Sequence, residues 1–187
     1  MRIAVYGGSF NPPHVAHAMV ASWLLWTDQV DEVWMVPVYR HAFEGIQQKK
    51  LASYEQRVHW CTLLTSDVDE RIQVCDIEAQ LPVPSYSIDT LSALRERYPE
   101  HQFRLVIGAD VLPDLPKWKE WERIEREFSP IIVGRDGYDS LPGMVSFPSV
   151  SSSQIRADLK KGNIPKHFLF HSLAAALLEN NPYKEQE

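Results

Sequence analysis

Short runs of branched and aromatic residues recur along the chain, separated by longer stretches with apolar residues at helical spacing. The short runs predict six strands, at residues 3–6, 32–38, 72–77, 103–108, 131–134 and 144–147. The longer stretches predict helices, at residues 12–26, 54–66, 88–98, 111–114, 117–128, 154–161 and 165–179. Because strands and helices alternate throughout, we expect an α/β fold in which helices cover both faces of a doubly wound parallel sheet.

Local signals predict where several of these helices begin and end. Asn11 is expected to cap the first helix, because Pro12 and Pro13 have the fixed φ that suits a first helical turn. Ser53 is expected to cap the second helix, and Gly162 to close the helix at 154–161. These signals depend only on neighbouring residues, so they predict ends and not packing.

Composition adds bounds on the class of protein. A chain of 187 residues predicts one domain over 1–187, with a C-terminal helical part at 151–180 and a fraying tail at 181–187. The formal net charge of −6 argues against nucleic-acid binding, and no apolar stretch is long enough to predict a membrane-spanning helix. Cys61 and Cys75 form no CxxC pair and fit reduced thiols. We therefore expect a cytoplasmic protein without nucleic-acid or membrane partners, and a homo-oligomer stays open.

The most informative stretch runs from Gly7 to His17 and follows the first predicted strand. Gly7 and Gly8 allow a tight turn and a close approach of main-chain N–H groups to a ligand. His14 and His17 are three residues apart, so they share one face of the predicted helix. A glycine turn that leads into a helix N-terminus favours anions, because free N–H groups and the helix dipole point at the same place. The stretch predicts a phosphate site.

Other polar motifs follow predicted strands in the same way. They occupy residues 40–50 after the second strand, 108–110 after the fourth, and 151–156 before a late helix. In an open parallel sheet, ligands bind beyond the carboxyl ends of the strands at the switch point of the strand order. The shared position of these motifs predicts a single site at that edge.

Three other kinds of site fit the residues less well. A zinc pair at His14 and His17 lacks a third ligand with convincing spacing. A dinucleotide-binding dehydrogenase would need GxGxxG and an acidic residue after the second strand, where Tyr39 and Arg40 stand instead. The Walker A motif of P-loop nucleotide-binding proteins is absent as well. His167 and His171 are expected on a solvated or dipole-favoured helix end.

Several stretches, in this order and spacing, resemble the HxGH nucleotidyltransferase superfamily and, within it, the bacterial nicotinate mononucleotide adenylyltransferases. The stretches are GGSFNP at 7–12 with His14 and His17, SYSIDTL at 85–91, GAD at 108–110, LPKW at 115–118, SSSQIR at 151–156 and NPY at 181–183. The resemblance covers essentially the whole chain and implies a Rossmann-like fold of the nucleotidyltransferase type. The SYSIDTL and LPKW stretches are the more specific to the nicotinate branch.

The resemblance implies transfer of the adenylyl group of ATP, with Mg²⁺, to nicotinate mononucleotide. Such transfer uses no covalent intermediate, so catalysis is alignment and stabilisation of phosphate charge. The catalytic residues it implies are His14, His17 and Arg156. The ATP-binding residues it implies are Gly7, Gly8, Ser9, Phe10, Gly108, Asp110, Ser152 and Ile155. No metal-ligating residue is implied, since magnesium can sit on phosphates and water.

For the acceptor, the resemblance implies that Trp118 stacks on the pyridine ring and that Tyr86 and Ser87 line the nicotinate carboxylate. Asp89 is expected to cap or pair within its own helix. The chain departs from the family pattern at Ala16, where the motif has glycine, and after the second strand, where Pro-His-Lys is missing. Arg40, Lys49 or Lys50 is expected to supply the missing cation, with Arg40 and Lys50 as the leading candidates.

Two other functions remain open on the sequence. One is adenylyl or cytidylyl transfer to another phosphorylated acceptor, including nicotinamide mononucleotide, which the unusual segment after the second strand favours. The other is a nucleotide-binding module without catalysis, which Ala16 and the missing Pro-His-Lys favour. Retention of both histidines, Asp110 and Arg156 ranks the module below the enzymes.

Overall fold

The fold is built on one sheet of six parallel strands. The structure, a computed structural model, describes residues 1–40, 51–138 and 144–184. The strands are β1 Arg2–Gly8, β2 Glu32–Pro37, β3 Ile72–Val74, β4 Gln102–Gly108, β5 Ile131–Arg135 and β6 Ser146–Phe147. Their order in the sheet is β3-β2-β1-β4-β5-β6, and every neighbouring pair is parallel. The order reverses between β1 and β4, which makes that boundary the switch point.

Helices cover both faces of this sheet, as the alternation of elements predicts. The α-helices are α1 Val15–Trp26, α2 Tyr54–Ser66, α3 Ser87–Arg97, α4 Trp121–Phe128, α5 Ser152–Lys160 and α6 His171–Glu179. Two 3₁₀ segments, Ile77–Gln80 and Ala109–Lys117, complete the connections. The predicted doubly wound α/β fold is confirmed.

The strands bury both faces because their side chains alternate between two hydrophobic clusters. Ile3 and Val5 of β1 lie in the cluster that packs against α3 and α4, and Ala4 lies in the cluster on the opposite face, against α1 and α2. A third cluster joins α5 and α6 to Trp60 of α2. The C-terminal helices are therefore attached to the sheet through α2.

Helix ends agree with the sequence where the signal is local. The hydroxyl oxygen of Ser53 accepts from the N–H of Gln56 at 3.2 Å, and α2 begins at Tyr54 as predicted. Gly162 follows α5 with φ +77°, in the left-handed region expected of a residue that ends a helix.

Three predicted helix starts are wrong. Helix α4 begins at Trp121 and not at residue 117, which ends the second 3₁₀ segment. Helix α1 begins at Val15, with His14 extended at its N-cap, and not at Pro12. The side-chain oxygen of Asn11, the predicted cap, accepts instead from the N–H of Ala52 and the hydroxyl of Tyr183. The last helix begins at His171 and not at residue 165, because Pro165–Phe170 forms turns.

The C-terminal segment also differs from its prediction. Tyr183, placed in a fraying tail by the sequence, is only 5% exposed and packs in the third cluster. The exposed His167 lies outside any helix, and the exposed His171 is the first residue of α6, so the two histidines do not share a helix end. No helix among the described residues has the length and apolar character needed to cross a membrane.

Candidate active site

A cleft of about 1090 Å³ lies over the carboxyl ends of β1, β4 and β5, at the switch point of the sheet. It brings together the motifs at residues 7–17, 108–110 and 151–156. The candidate residues from the sequence that line it are Gly7, Gly8, Ser9, Phe10, His14, His17, Tyr86, Ser87, Gly108, Asp110, Trp118, Ser152 and Arg156. Residues scattered over 150 positions of sequence thus face one space.

His14 and His17 stack on one another at one wall of the cleft. Their ring centroids are 3.8 Å apart, with an angle of 27° between the ring planes. Nδ1 of His17 accepts from the main-chain N–H of His14 at 3.0 Å, so the proton of the neutral His17 ring lies on Nε2. Nδ1 of His14 is buried and has no partner among the described residues. The pair therefore offers a defined donor and an unsatisfied ring nitrogen.

Both imidazoles are uncharged at neutral pH. Burial, with a smaller contribution from the charge of Arg135, lowers the pKa of His14 from 6.5 to about 4. Burial also holds the pKa of His17 well below its usual value, and His14 and Arg135 add to that effect. An anion bound beside them would raise both pKa values, because the opposite charge favours the protonated ring.

The glycine loop contributes main chain to the cleft. A Cβ at Gly7 would have nothing among the described atoms within 4 Å, so glycine leaves this position open toward the cleft. Phe10 has φ +45°, which is unusual for a residue with a side chain, and its ring is 2% exposed beside Tyr6 and His17. The Phe10 ring is therefore packed against Tyr6 and His17.

The first turn of α5 faces this loop from the opposite wall. Nη1 of Arg156 donates to the carbonyl of Asn11 at 2.8 Å, and Nη2 donates to the hydroxyl of Ser153 at 3.0 Å. The hydroxyl of Ser152 donates to the carbonyl of Pro12 at 2.9 Å. These contacts bring a guanidinium and a helix N-terminus against the end of the glycine loop, where an anion would be stabilised.

Gly108 and Asp110 lie at the end of β4. Nη1 of Arg135 donates to Oδ2 of Asp110 at 2.9 Å, and Nη2 donates to the carbonyl of Val150 at 3.3 Å. A Cβ at Gly108 would collide with the carboxylate of Asp110, so glycine is needed for this arrangement.

Sequence reasoning missed Arg135. It ends β5 at the same edge of the sheet as Gly108, and that position is the signal that could have found it.

The far end of the cleft holds the predicted acceptor residues. Tyr86, Ser87 and Trp118 are half-buried there. Nζ of Lys119 lies 4.8 Å from the centre of the Tyr86 ring and 2.8 Å from a carboxylate oxygen of Asp89. Asp89 therefore pairs across to Lys119 and not within its own helix, which corrects the expectation.

Buried Glu78, which the sequence did not single out, fixes the floor of this end. Its carboxylate accepts from the N–H of Tyr39 at 2.9 Å and from the hydroxyl of Thr90 at 3.0 Å. Ser85 is bonded to Arg40 in both directions, at 2.8 and 3.3 Å. The end of β2 and the first turn of α3 are thereby held together.

Three candidate residues from the sequence are not among those that line the main cleft. The Ile155 side chain is fully buried in the third hydrophobic cluster, which leaves only its main chain to face a ligand. Arg40 is exposed and lines a smaller adjoining recess. Lys50 lies outside the described residues, as does Lys49.

The sequence of this chain is similar to those of known proteins. Residues 5–158 match the family model described as cytidylyltransferase-like. The chain is 42% identical to a probable nicotinate-nucleotide adenylyltransferase of Anaeromyxobacter sp. (strain K), over 86% of this chain and 84% of the relative. It is 32% identical to a protein of the same name from Shouchella clausii (strain KSM-K16), over 97% and 96%.

Among solved structures, the chain is similar to Plasmodium falciparum nicotinic acid mononucleotide adenylyltransferase complexed with NaAD. The TM-score is 0.77 at 22% identity, covering 97% of each chain. At that identity the likeness is one of fold.

Proposed function

Because the chain belongs to the nicotinate-nucleotide adenylyltransferase family, we propose that it transfers the adenylyl group of ATP to nicotinate mononucleotide. A phosphate oxygen of the mononucleotide forms a bond to the α-phosphorus of ATP. The bond from that phosphorus to the oxygen bridging to the β-phosphate breaks. The products are deamido-NAD and pyrophosphate. The observation that carries the proposal is the stacked His14–His17 pair, which lines one cleft together with the glycine loop and Arg156.

In this proposal the two histidines stabilise charge on the triphosphate as the bond breaks. Nε2–H of His17 is available as a donor because Nδ1 is already an acceptor. The unpartnered Nδ1 of His14 gains a partner only from a ligand or a proton. Negative charge that builds up on the leaving pyrophosphate strengthens the hydrogen bond from Nε2–H of His17, which is how fixed donors lower a barrier.

Arg156 and Ser152 hold the β- and γ-phosphates at the N-terminus of α5. Support comes from their position against the carbonyls of Asn11 and Pro12, beside the loop whose main chain contacts the nucleotide. Arginine suits this task because its guanidinium can donate two parallel hydrogen bonds to a phosphate. Main-chain groups of Gly7, Gly8, Ser9 and Phe10, and that of Ile155, complete the contacts.

Gly108 and Asp110 meet the ribose and adenine side of ATP. The ion pair with Arg135 supports this role, because it fixes the Asp110 carboxylate at the edge of the cleft. Arg135 also adds positive charge beside the histidines, as its effect on their pKa values indicates.

Trp118 stacks on the pyridine ring of the acceptor, and Tyr86 and Ser87 line its carboxylate. The three side chains face the cleft beside Lys119, at the end opposite Arg156. Arg40 or Lys50 supplies the cation for the acceptor phosphate, and Arg40 is the candidate held near Ser85.

Mg²⁺ accompanies ATP in this proposal. Among the residues that the structure describes, no group of His, Cys, Asp and Glu side chains is arranged to hold a metal ion. Mg²⁺ can be held by phosphate oxygens and water, where it would partly neutralise the triphosphate.

Residues 1–187 act as one domain, which is supported by the packing of α5 and α6 onto α2. The unbridged Cys61 and Cys75 fit a cytoplasmic location.

The direct test mixes the purified protein with ATP, Mg²⁺ and either nicotinate or nicotinamide mononucleotide, and separates the products by chromatography. We expect deamido-NAD and pyrophosphate in equal amounts, at a higher rate than NAD from the amide. Formation of neither dinucleotide would overturn the proposal. Pyrophosphate release would also exclude a module that only binds nucleotide.

A second candidate is nucleotidyl transfer to another phosphorylated acceptor. Arg40, standing where the family pattern has Pro-His-Lys, favours it. A panel of phosphorylated acceptors, each offered with ATP and with CTP, distinguishes the two functions. A preferred acceptor other than a pyridine mononucleotide would select the second candidate.

A further inference from the structure

Arg57 is a buried arginine that the proposed mechanism does not use. It belongs to α2, its side chain is 2% exposed, and it does not line the main cleft. Nη1 donates to the carbonyl of Ser9 at 3.0 Å, and Nε donates to the carbonyl of Ala52 at 3.3 Å. Within residues 1–40, 51–138 and 144–184 it forms no ion pair. The guanidinium is thus satisfied by main-chain carbonyls, one of them in the glycine loop.

The Ser9 carbonyl differs from the two other loop carbonyls with side-chain donors. Arg156 binds the carbonyl of Asn11 and Ser152 binds that of Pro12, and a proline follows each, so neither peptide unit has an N–H. The peptide unit of Ser9 carries the N–H of Phe10. Because C=O and N–H point in opposite directions across a trans peptide, Arg57 sets the direction of that N–H. The N–H points away from α2.

A second set of contacts connects Arg57 to the same loop. The Ala52 carbonyl accepts from Arg57, and the Ala52 N–H donates to Oδ1 of Asn11 at 3.0 Å. The hydroxyl of buried Tyr183 donates to the same oxygen of Asn11. The start of α2 and the C-terminal segment therefore hold the loop from behind, on either side of the left-handed Phe10.

The charge of Arg57 acts in the same direction as its geometry. Burial lowers its pKa, yet an arginine stays protonated in any ordinary buffer. A positive charge away from water is screened little, so its field extends through the loop toward an anion on the other side.

We propose that Arg57 is a positioning residue for the triphosphate, fixing the glycine loop from behind, and that Tyr183 serves the same loop through Asn11. The inference rests on the proposed function only in naming ATP as the nucleotide. Neither side chain touches substrate. Each acts through the main-chain donors of the loop.

The test compares Arg57→Lys with Arg104→Lys, because the Nε of Arg104 also donates to a main-chain carbonyl, that of Ser129, away from the cleft. We measure KM for ATP, KM for nicotinate mononucleotide, kcat and the thermal midpoint. Lysine keeps the charge but lacks the planar guanidinium whose Nε and Nη1 reach the two carbonyls in fixed directions, so we expect KM for ATP to rise about tenfold. KM for the mononucleotide should change less than twofold, and R104K should leave both constants unchanged.

Tyr183→Phe is the second variant, since it removes one hydroxyl and keeps the ring. We expect KM for ATP to rise about threefold, against no change in Tyr98→Phe, whose ring lies in the aromatic group with Trp34. If Arg57 and Tyr183 are purely structural, the variants will have a lower thermal midpoint but an unchanged KM for ATP. That result would overturn the inference. If R57K does not fold, Y183F decides alone.

The outcomes separate the inference from the proposed function. If the wild-type protein forms no dinucleotide, the same variants are compared by calorimetry for their dissociation constant with ATP. A weaker ATP affinity in R57K and Y183F supports the inference even then, and unchanged affinity overturns it.

Discussion

The two ends of the cleft are held in different ways. At the nucleotide end, buried groups fix the loop, since Arg57, Asn11 and Tyr183 are each at most 5% exposed. At the acceptor end, Trp118 and Tyr86 are half-buried, and Lys119 pairs with Asp89 through side chains that are 41% and 37% exposed. A buried network resists displacement, whereas an exposed ion pair contributes little. We therefore expect the nucleotide end to set the rate with any acceptor and the acceptor end to set which acceptor is used.

The largest expected effect is at the nucleotide end, in His17→Ala. Loss of a fixed donor to the developing charge should lower kcat by about 10³-fold with either mononucleotide, because the contact is with ATP. Steady-state kinetics with both acceptors measures it. His17→Gln, which keeps a donor near the position of Nε2, should recover part of the loss. A loss of kcat with only one of the two mononucleotides would contradict the division of roles between the two ends of the cleft.

Acid should lower the free energy of unfolding through His14, at the nucleotide end of the cleft. The pKa of His14 falls from 6.5 to about 4 on folding, so the unfolded chain binds more protons between these values. Stability is therefore full above pH ~6.5 and declines toward pH ~4, by about 3 kcal/mol from this residue. The groups that act on the ring are His17, which stacks on it, and Arg135, whose charge lowers its pKa and which is itself paired with Asp110.

Urea unfolding of the wild type and of His14→Gln at pH 7.5 and pH 5 measures this decline. The variant should show a shallower loss on acidification, since it has no imidazole to protonate at that position. A parallel decline in both proteins would assign the acid sensitivity elsewhere.

A smaller, acceptor-selective effect is expected for Trp118→Ala. Loss of a stacking ring should raise KM for nicotinate mononucleotide about tenfold and leave KM for ATP unchanged. Trp26→Ala is the matched control, because that tryptophan is 86% exposed on α1. An equal rise in both KM values would show that the two ends are not independent.

The smallest expected effect is for Lys119→Met. The lysine lies at the rim of the acceptor end and its charge is shared with Asp89, so we expect KM for nicotinate mononucleotide to rise about two- to threefold. KM for nicotinamide mononucleotide, whose amide group carries no charge, should not change. Lys160→Met, at an exposed position in the last turn of α5, controls for loss of a surface charge.

Local chemistry explains what the sequence predicted correctly. The capping of α2 by Ser53 and the alternation of strands with helices depend on residues close in sequence, and both agree with the structure. The misplaced start of α1 has a non-local cause, since the Asn11 oxygen is engaged by Tyr183. A capping preference cannot anticipate a partner 172 residues away.

The residues of the candidate site show the same difference between local and non-local signals. His14, Asp110 and Arg156 stand in motifs, and the structure brings them to one cleft. Arg135 stands in no motif and joins the cleft through an ion pair between strand ends. Buried Arg57 interrupts the apolar face of α2, where a helical pattern predicts a solvated side chain. The end of a strand is the signal for Arg135, whereas Arg57 is recognisable only once the packing of α2 against the glycine loop is known.

The bond between Tyr183 and Asn11 also has a consequence for biosynthesis. The glycine loop is synthesised well before this partner, because Asn11 and Tyr183 are 172 residues apart in the chain. A nascent chain can therefore pair β1 with β2 and β4 while its loop still lacks this support. On that order of events, firm ATP binding comes late in synthesis, after the parallel sheet is in place.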